Sequence, residues 1–305
     1  MDEWKAFNYI PMLSVNIQFA AVFAVFLAVQ VLYSWHLHTK YSSSLGKTKL
    51  KRFHLMMIPF SIGMALEVVG FAGRIINHYD LQSLAGFIIQ AVCILLGPTF
   101  MAATIYMLFG EIVKTLDASH HSVVPIAKLT KIFVGGDLLS LTLQSTGGSL
   151  TTNDLKMLYN IGEKIILGGL FVQLIFFGVF VLCVLLFYVK CSNSPTKSAA
   201  MNSARSSIIQ NWKIHVILLV VASLLILGRS VYRVIEFLQG ANGILISDEK
   251  YLFLLDSHLV ALAALHMIVF YTPSMLCYTE KENMKSSTIR TDQKFSVPET
   301  EPVSV

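Results

Sequence analysis

Charge is scarce in this 305-residue sequence: Asp, Glu, Lys and Arg make up 13% of it, against roughly 25% in soluble domains. With 55% hydrophobic residues and a mean hydropathy of +0.65, that shortage argues against a soluble globular enzyme and against a disordered chain. Cysteine is scarce too. Cys93, Cys183, Cys191 and Cys277 make no disulfide framework: the first two lie inside apolar runs and the last two just after such runs, where packing or acylation is the expected role. No Asn-x-Ser/Thr sequon is present. Ahead of the first apolar run Lys5 is the only positively charged side chain, with no small-residue cleavage site, so that run is expected to stay as a span.

Catalytic signatures are missing as well. Gly46-Lys47-Thr48 ends like a phosphate-binding loop, but Tyr41 stands where the motif needs glycine, so no ATPase motif is assigned. There is no Gly-x-Ser-x-Gly elbow and no cysteine nucleophile arrangement. His36, His38, His120 and His121 lie in loops or at interfaces, and His258 and His266 are eight apart; they do not supply the three convergent ligands of a catalytic zinc site. The expectation is a non-enzyme with no catalytic residue, metal or cofactor. The net charge of +5 is spread over short segments, without the basic face a nucleic-acid partner requires.

What is abundant is apolar sequence in runs of about 20 residues, enough to cross a hydrocarbon core ~30 Å thick. Seven runs qualify: Ser14–Trp35, Leu55–Ile76, Ala85–Phe109, Ile126–Thr146, Ile165–Tyr188, Ile214–Glu236 and Leu252–Thr272. The expected fold is all-α, a polytopic bundle of seven transmembrane helices over residues 14–272. Residues 1–13 precede it, and a tail over 273–305, rich in Ser, Thr, Glu and Lys beyond Thr279, is expected to be disordered. Trp35, Tyr188, Trp212, Tyr251 and Tyr271 mark the interfaces. Of 23 basic residues, 16 fall in the loops after spans one, three and five and in the tail, counting Lys128 and Lys131 at the start of the fourth run with the loop before it, and four on the other side. Under the positive-inside rule the N-terminus is then outside and the C-terminus cytosolic.

The three remaining basic residues lie inside spans, where ionisable groups are costly, face the bundle interior and find partners. Glu67 and Arg74 are seven apart on one helical face, with Gly63 and Gly70 completing a stripe that admits close approach of another helix. Asp137, Ser140, Gln144 and Gly148 follow a helical period, as do Arg229, Arg233 and Glu236; Asp256 lies in the last span. Taken with the predicted orientation, these groups are expected to converge on the outer half of the bundle. Two readings stay open: a structural ion-pair network that fixes helix register, or a polar cavity for the head group of an amphiphile. Gly97-Pro98 is expected to kink the third span.

Several of these residues also carry a resemblance. Glu67-x-x-Gly70-x-x-x-Arg74; Gln90, Pro98, Ala102-Ala103, Tyr106 and Gly110; Gly136-Asp137-x-x-Ser140-x-x-x-Gln144-x-x-Gly147-Gly148; Gly162, Gly169 and Gln173; and Arg229-x-x-x-Arg233-x-x-Glu236-x-x-x-Gly240-x-x-Gly243 with Glu249, Tyr251 and Asp256 together resemble the fungal RTA-like family, also called the lipid-translocating exporter family. Phe71, Gly97 and Ser149 are mild departures from its pattern. The resemblance implies a multi-pass protein of the plasma membrane that moves sphingoid bases or related toxic amphiphiles, or takes up porphyrins or sterols. Its partners would be an amphiphilic lipid or small hydrophobic substrate and the membrane lipids; the oligomeric state is left open. Glu67, Arg74, Asp137, Gln144, Arg229, Arg233, Glu236 and Asp256 are the candidate substrate-binding and translocation residues. A receptor-like lipid sensor is the alternative from another class, and a membrane hydrolase a third.

Overall fold

Backbone N–H and C=O groups in hydrocarbon have no water to bond, so a spanning segment must pair them within itself, as a helix does. In the computed structural model every long element is a helix, and no strand occurs among the described residues. These are residues 10–43, 45, 47–151, 156–205, 210–239, 243, 245 and 249–295, with backbone alone for Lys47, Lys156, Arg205 and 285–295. Lys5, Gly46 and Gly240, most of the 1–13 segment and the last ten residues of the tail lie outside them.

The order is α1 (Leu13–Tyr41), α2 (Lys47–Tyr79), α3 (Leu84–Thr115), α4 (Ile126–Thr151), α5 (Lys156–Asn193), a short α6 (Lys197–Arg205) and α7 (Trp212–Gln239). The last span is built from α8 (Glu249–Leu252), a π-helical turn (Phe253–Ser257) and α9 (His258–Val269); α10 (Thr272–Phe295) follows directly. α3 runs without a break through Pro98 and begins at Ser83, whose hydroxyl caps it by accepting from the Gly86 N–H at 3.3 Å.

Six of these helical stretches are long and apolar enough to cross a membrane: Leu13–Tyr41, Thr48–Tyr79, Leu84–Thr115, Met157–Asn193, Trp212–Gln239 and Glu249–Met284. The chain is thus an all-helical polytopic membrane protein. Of the seven predicted spans, the fourth is the exception. α4 is 26 residues long, about 39 Å, but Lys128, Lys131, Asp137 and Gln144 and its hydroxyl residues lower its apolar character.

Neighbouring helices pack antiparallel where small residues let backbones touch. A Cβ on Gly63 would stand 2.7 Å from the Gly97 carbonyl oxygen, and one on Gly147 2.6 Å from that of Gly162, so α2 against α3 and α4 against α5 leave no room for a side chain at either contact. α1 instead runs parallel to the last span: Asn16 meets Glu249 at one end, and the Ser34 and Tyr271 hydroxyls meet at 2.6 Å toward the other. The core between the helices is aromatic, with Phe19, Phe71 and Phe253 stacked in a row and Tyr106, Phe133, Phe177 and Phe180 clustered around one another. Leu32, Leu138, Ile175, Leu182 and Leu238 point outward, giving the apolar exterior that a hydrocarbon solvent requires.

One end of the bundle carries most of the described lysines and is closed by polar contacts. Lys49 of α2 pairs with Glu280 of α10 at 2.6 Å, and Arg52 of α2 with Glu111 of α3 at 2.8 Å. The α6 side chain of Asn202 donates to Thr279 at 2.8 Å and accepts from the Trp212 N–H at 2.9 Å. These contacts account for a difference from the sequence reading. The tail predicted to be disordered from 273 is helical to Phe295, because Met275, Leu276, Cys277 and Thr279 are buried and hold the first turns in place.

Candidate functional site

The charged residues of the spans are each delivered by a helix face that turns inward, but they do not form one cluster. The structure divides the expected convergence into three groups, spaced along the bundle because their partners lie on different neighbouring helices.

The first group lies near the end where α2 finishes, with Arg74 about 8 Å from Tyr79 along the helix axis. Its guanidinium makes a short ion pair with Glu249, the first residue of α8, donates through Nε to Asn16 Oδ1 at 3.0 Å and reaches Gln90 Oε1 at 3.4 Å. Glu249 also accepts from the Met12 backbone N–H at 2.7 Å and from Asn16 Nδ2 at 3.3 Å. The guanidinium carbon lies 5.8 Å from the centre of the Phe253 ring, within cation–π range. With this many donors and acceptors matched, the group ties α1, α2, α3 and α8 together. Arg74 therefore pairs with Glu249 and not with Glu67, its neighbour on the same helical face.

The second group lies deeper. Asp256 sits in the π-helical turn, where the extra residue per turn re-aims side chains. Its Oδ1 is 2.7 Å from Arg229 Nε and 3.4 Å from Arg233 Nε, ion pairs whose N–H bonds do not point along the contacts. Arg229 also donates to the Ile94 carbonyl oxygen of α3 at 2.8 Å. Arg233 donates to Glu236 Oε2 at 2.9 Å, and the Tyr232 hydroxyl to Glu236 Oε1 at 3.1 Å. Glu67, about 18 Å from the end of α2, faces this group across α3. Its carboxyl lies over Gly97, where an added Cβ would stand 2.5 Å from Oε1, so only glycine leaves it space. Arg229, Arg233 and Asp256 act on it electrostatically.

The third group joins α3, α4 and α5. The Tyr106 hydroxyl donates to Asp137 Oδ2 at 2.9 Å amid Phe133, Phe177 and Phe180. Ser140 donates to the Gly169 carbonyl oxygen at 2.8 Å, and Gln144 Nε2 to Ser140 Oγ at 2.7 Å and Gln173 Oε1 at 3.2 Å. Gln144 is thus a stitch between α4 and α5. Asp137 is a buried acid without a basic partner among the described residues.

The sequence reading of candidate residues passed over the partners Asn16, Gln90, Tyr106, Tyr232 and Glu249. The motifs that carry the resemblance already contained Gln90, Tyr106 and Glu249, whereas Asn16 and Tyr232 stood in none of them. No group of three or more His, Cys, Asp or Glu side chains able to hold a metal occurs among the described residues.

The chain as a whole is similar to known proteins. The family described as "RTA1 like protein" matches residues 60–279. Protein RTA1 of Saccharomyces cerevisiae is 32% identical over 314 residues, covering 100% of this chain and 96% of its own. Protoporphyrin uptake protein 1 of the same organism is 31% identical over 271 residues, 82% of this chain and 86% of its own. The sphingoid long-chain base transporter RSB1 of Saccharomyces cerevisiae is 21% identical over 289 residues, 86% of this chain and 72% of its own. No solved structure matches. The matched segment takes in all three groups of buried polar residues apart from Asn16, and on that extent of agreement the chain belongs to the RTA1-like family.

Proposed function

We propose that this protein is a translocase for amphiphilic lipids, moving sphingoid long-chain bases or chemically similar cationic amphiphiles across the plasma membrane without an ATPase of its own. In this reading α4 also crosses the membrane and brings the spans to seven, the N-terminus is outside and the lysine-rich end is cytosolic, as the distribution of basic residues supports. The observation that carries the proposal is the second polar group: charges of both signs buried at mid-bundle between α2, α3, α7 and the last span, where an ammonium or a zwitterionic head group finds a counter-charge. The acids Glu67, Asp137, Glu236 and Asp256 receive a cation, and Arg229 and Arg233 balance them. Arg74 and Gln144 hold neighbouring helices in register. The tail of the amphiphile lies between apolar helix faces. The named activities of the sphingoid-base transporter and of the protoporphyrin uptake protein support a lipid-like cargo.

The test is a flux assay on purified full-length protein in vesicles, with a panel of sphingosine, a sterol and protoporphyrin. Sphingosine transfer faster than in protein-free vesicles is the expected result. Transfer of no panel member above the protein-free rate overturns the reading, and transfer of protoporphyrin alone redirects it to porphyrin uptake.

A further inference from the structure

The buried acids of this bundle differ in one respect: whether a hydrogen-bond donor or an ion-pair partner stands beside them. Glu249 has Arg74, Asn16 and the Met12 N–H; Glu236 has Arg233 and Tyr232; Asp137 has Tyr106; Asp256 has two arginines within 4 Å; Glu111 has Arg52. Glu67 stands apart. It is 1% exposed, its Oε1 has no hydrogen-bond partner, and no salt bridge reaches it among the described residues. The charges around it are already matched, since Asp256 and Glu236 offset Arg229 and Arg233. The groups that act on it from packed elements are those two arginines of α7, Asp256 of the π-helical turn and Cys93 of α3; on α2 the nearest is Arg74, two turns away and engaged with Glu249. From α1, Phe19 and Phe23 present rings to Phe71, one turn on.

An ionised carboxylate in that place is a surplus negative charge in a medium where an uncompensated charge is costly. Something must neutralise it, and the atoms that do so are a proton or a cation from outside the protein. The carboxyl lies against the Gly97 backbone, between α2 and α3 and facing α7, so whatever neutralises it is also sensed by the Arg229–Asp256 pair.

Resting on the translocase reading above, we propose that Glu67 is an exchange carboxylate: it carries one proton when the site is empty and releases it when the ammonium of an amphiphile binds. The O–H bond of the Glu67 carboxyl breaks, its proton passes to the water on the side from which the amine arrives, and the carboxylate pairs with the ammonium. On the other side a proton from the water re-forms the O–H bond and the ammonium leaves. One monovalent amine moves in one direction and one proton in the other. No bond of the amine is made or broken.

The experiment uses full-length protein in vesicles containing the pH dye pyranine, with sphingosine and its quaternary analogue N,N,N-trimethylsphingosine as probes. The quaternary probe cannot shed a proton itself, so any proton counterflow belongs to the protein. Expected are one proton moved per quaternary probe, about tenfold accumulation of probe per unit of imposed pH gradient, and loss of both in Glu67→Gln. Probe movement indifferent to the pH gradient, or driven by a sodium gradient in its place, overturns the exchange and leaves the translocase reading standing. Failure of wild-type protein to move either probe overturns both. Unchanged coupling in Glu67→Gln overturns the assignment to Glu67. Should that variant not fold, dicyclohexylcarbodiimide on the wild-type protein decides: labelling of Glu67 that sphingosine suppresses supports the proposal, and its absence overturns it.

Discussion

Asp256 is shared between Arg229 and Arg233, and that sharing sets what each substitution does. Removing one member of a buried charged set leaves its partner uncompensated and costs about 3–5 kcal/mol, whereas replacing both with apolar residues is often close to neutral. Arg229→Leu is therefore expected to lower the melting temperature in detergent strongly, and Arg229→Leu with Asp256→Leu to recover much of the loss. Melting of the double variant no higher than that of the single one would count against the pairing. At Tyr106 the change is smaller: Tyr106→Phe removes the only donor to Asp137 among the described residues, at an expected cost of about 1–3 kcal/mol, read as a downward shift in the same melting measurement. These charges were legible in the sequence, because an ionisable residue in an apolar run is expensive wherever it lies. Their partners were not. Glu67 and Arg74 share a helical face, yet Arg74 engages Glu249, 175 positions away, and only the packing of α1 and α8 beside α2 brings that about.

Helix contacts were legible where they rest on small residues and less so where they rest on polar ones. The stripe of Gly63 and Gly70 anticipated close approach, and both glycines do meet α3. The π-helical turn at Phe253–Ser257 was not foreseen, since Phe-Leu-Leu-Asp-Ser reads as ordinary helix; it is the turn that carries Asp256 beside two arginines. Nor was the order of α10, where the composition is that of a solvated tail and the ordering comes from burial of its first turns. Two outcomes follow at this scale. Gly147→Leu forces a side chain into a gap where even a Cβ meets the Gly162 carbonyl oxygen at 2.6 Å, and the variant is expected to elute as aggregate in size-exclusion chromatography, whereas Gly148→Ala, with nothing within 4 Å of its added Cβ, elutes as the parent does. Asn202→Ala unties α6 from Thr279 and from the Trp212 N–H, and faster tryptic cleavage within α10 is the expected readout.

For the whole molecule, length, apolar runs and basic loops foretold a helical membrane bundle, and six of the seven runs meet the criterion for spanning on length and composition. The fourth does not, because Asp137, Gln144 and their neighbours serve contacts with α3 and α5 at the expense of apolar character. The proposed orientation has its own check. A tag fused after Val305 is expected to be reached by antibody only once cells are permeabilised, and labelling of intact cells would reverse the orientation.

The parallel pairing of α1 with the last span bears on how the protein is made. Arg74 and Arg229 enter the membrane with helices synthesised before Glu249 and Asp256 exist, so during translation both cations wait without their counter-charges. Ring closure by α8 and α9 satisfies them together and docks the first helix at the same moment. A ribosome that stops before residue 249 releases a chain with exposed intramembrane arginines, a mark that quality control in the membrane can read.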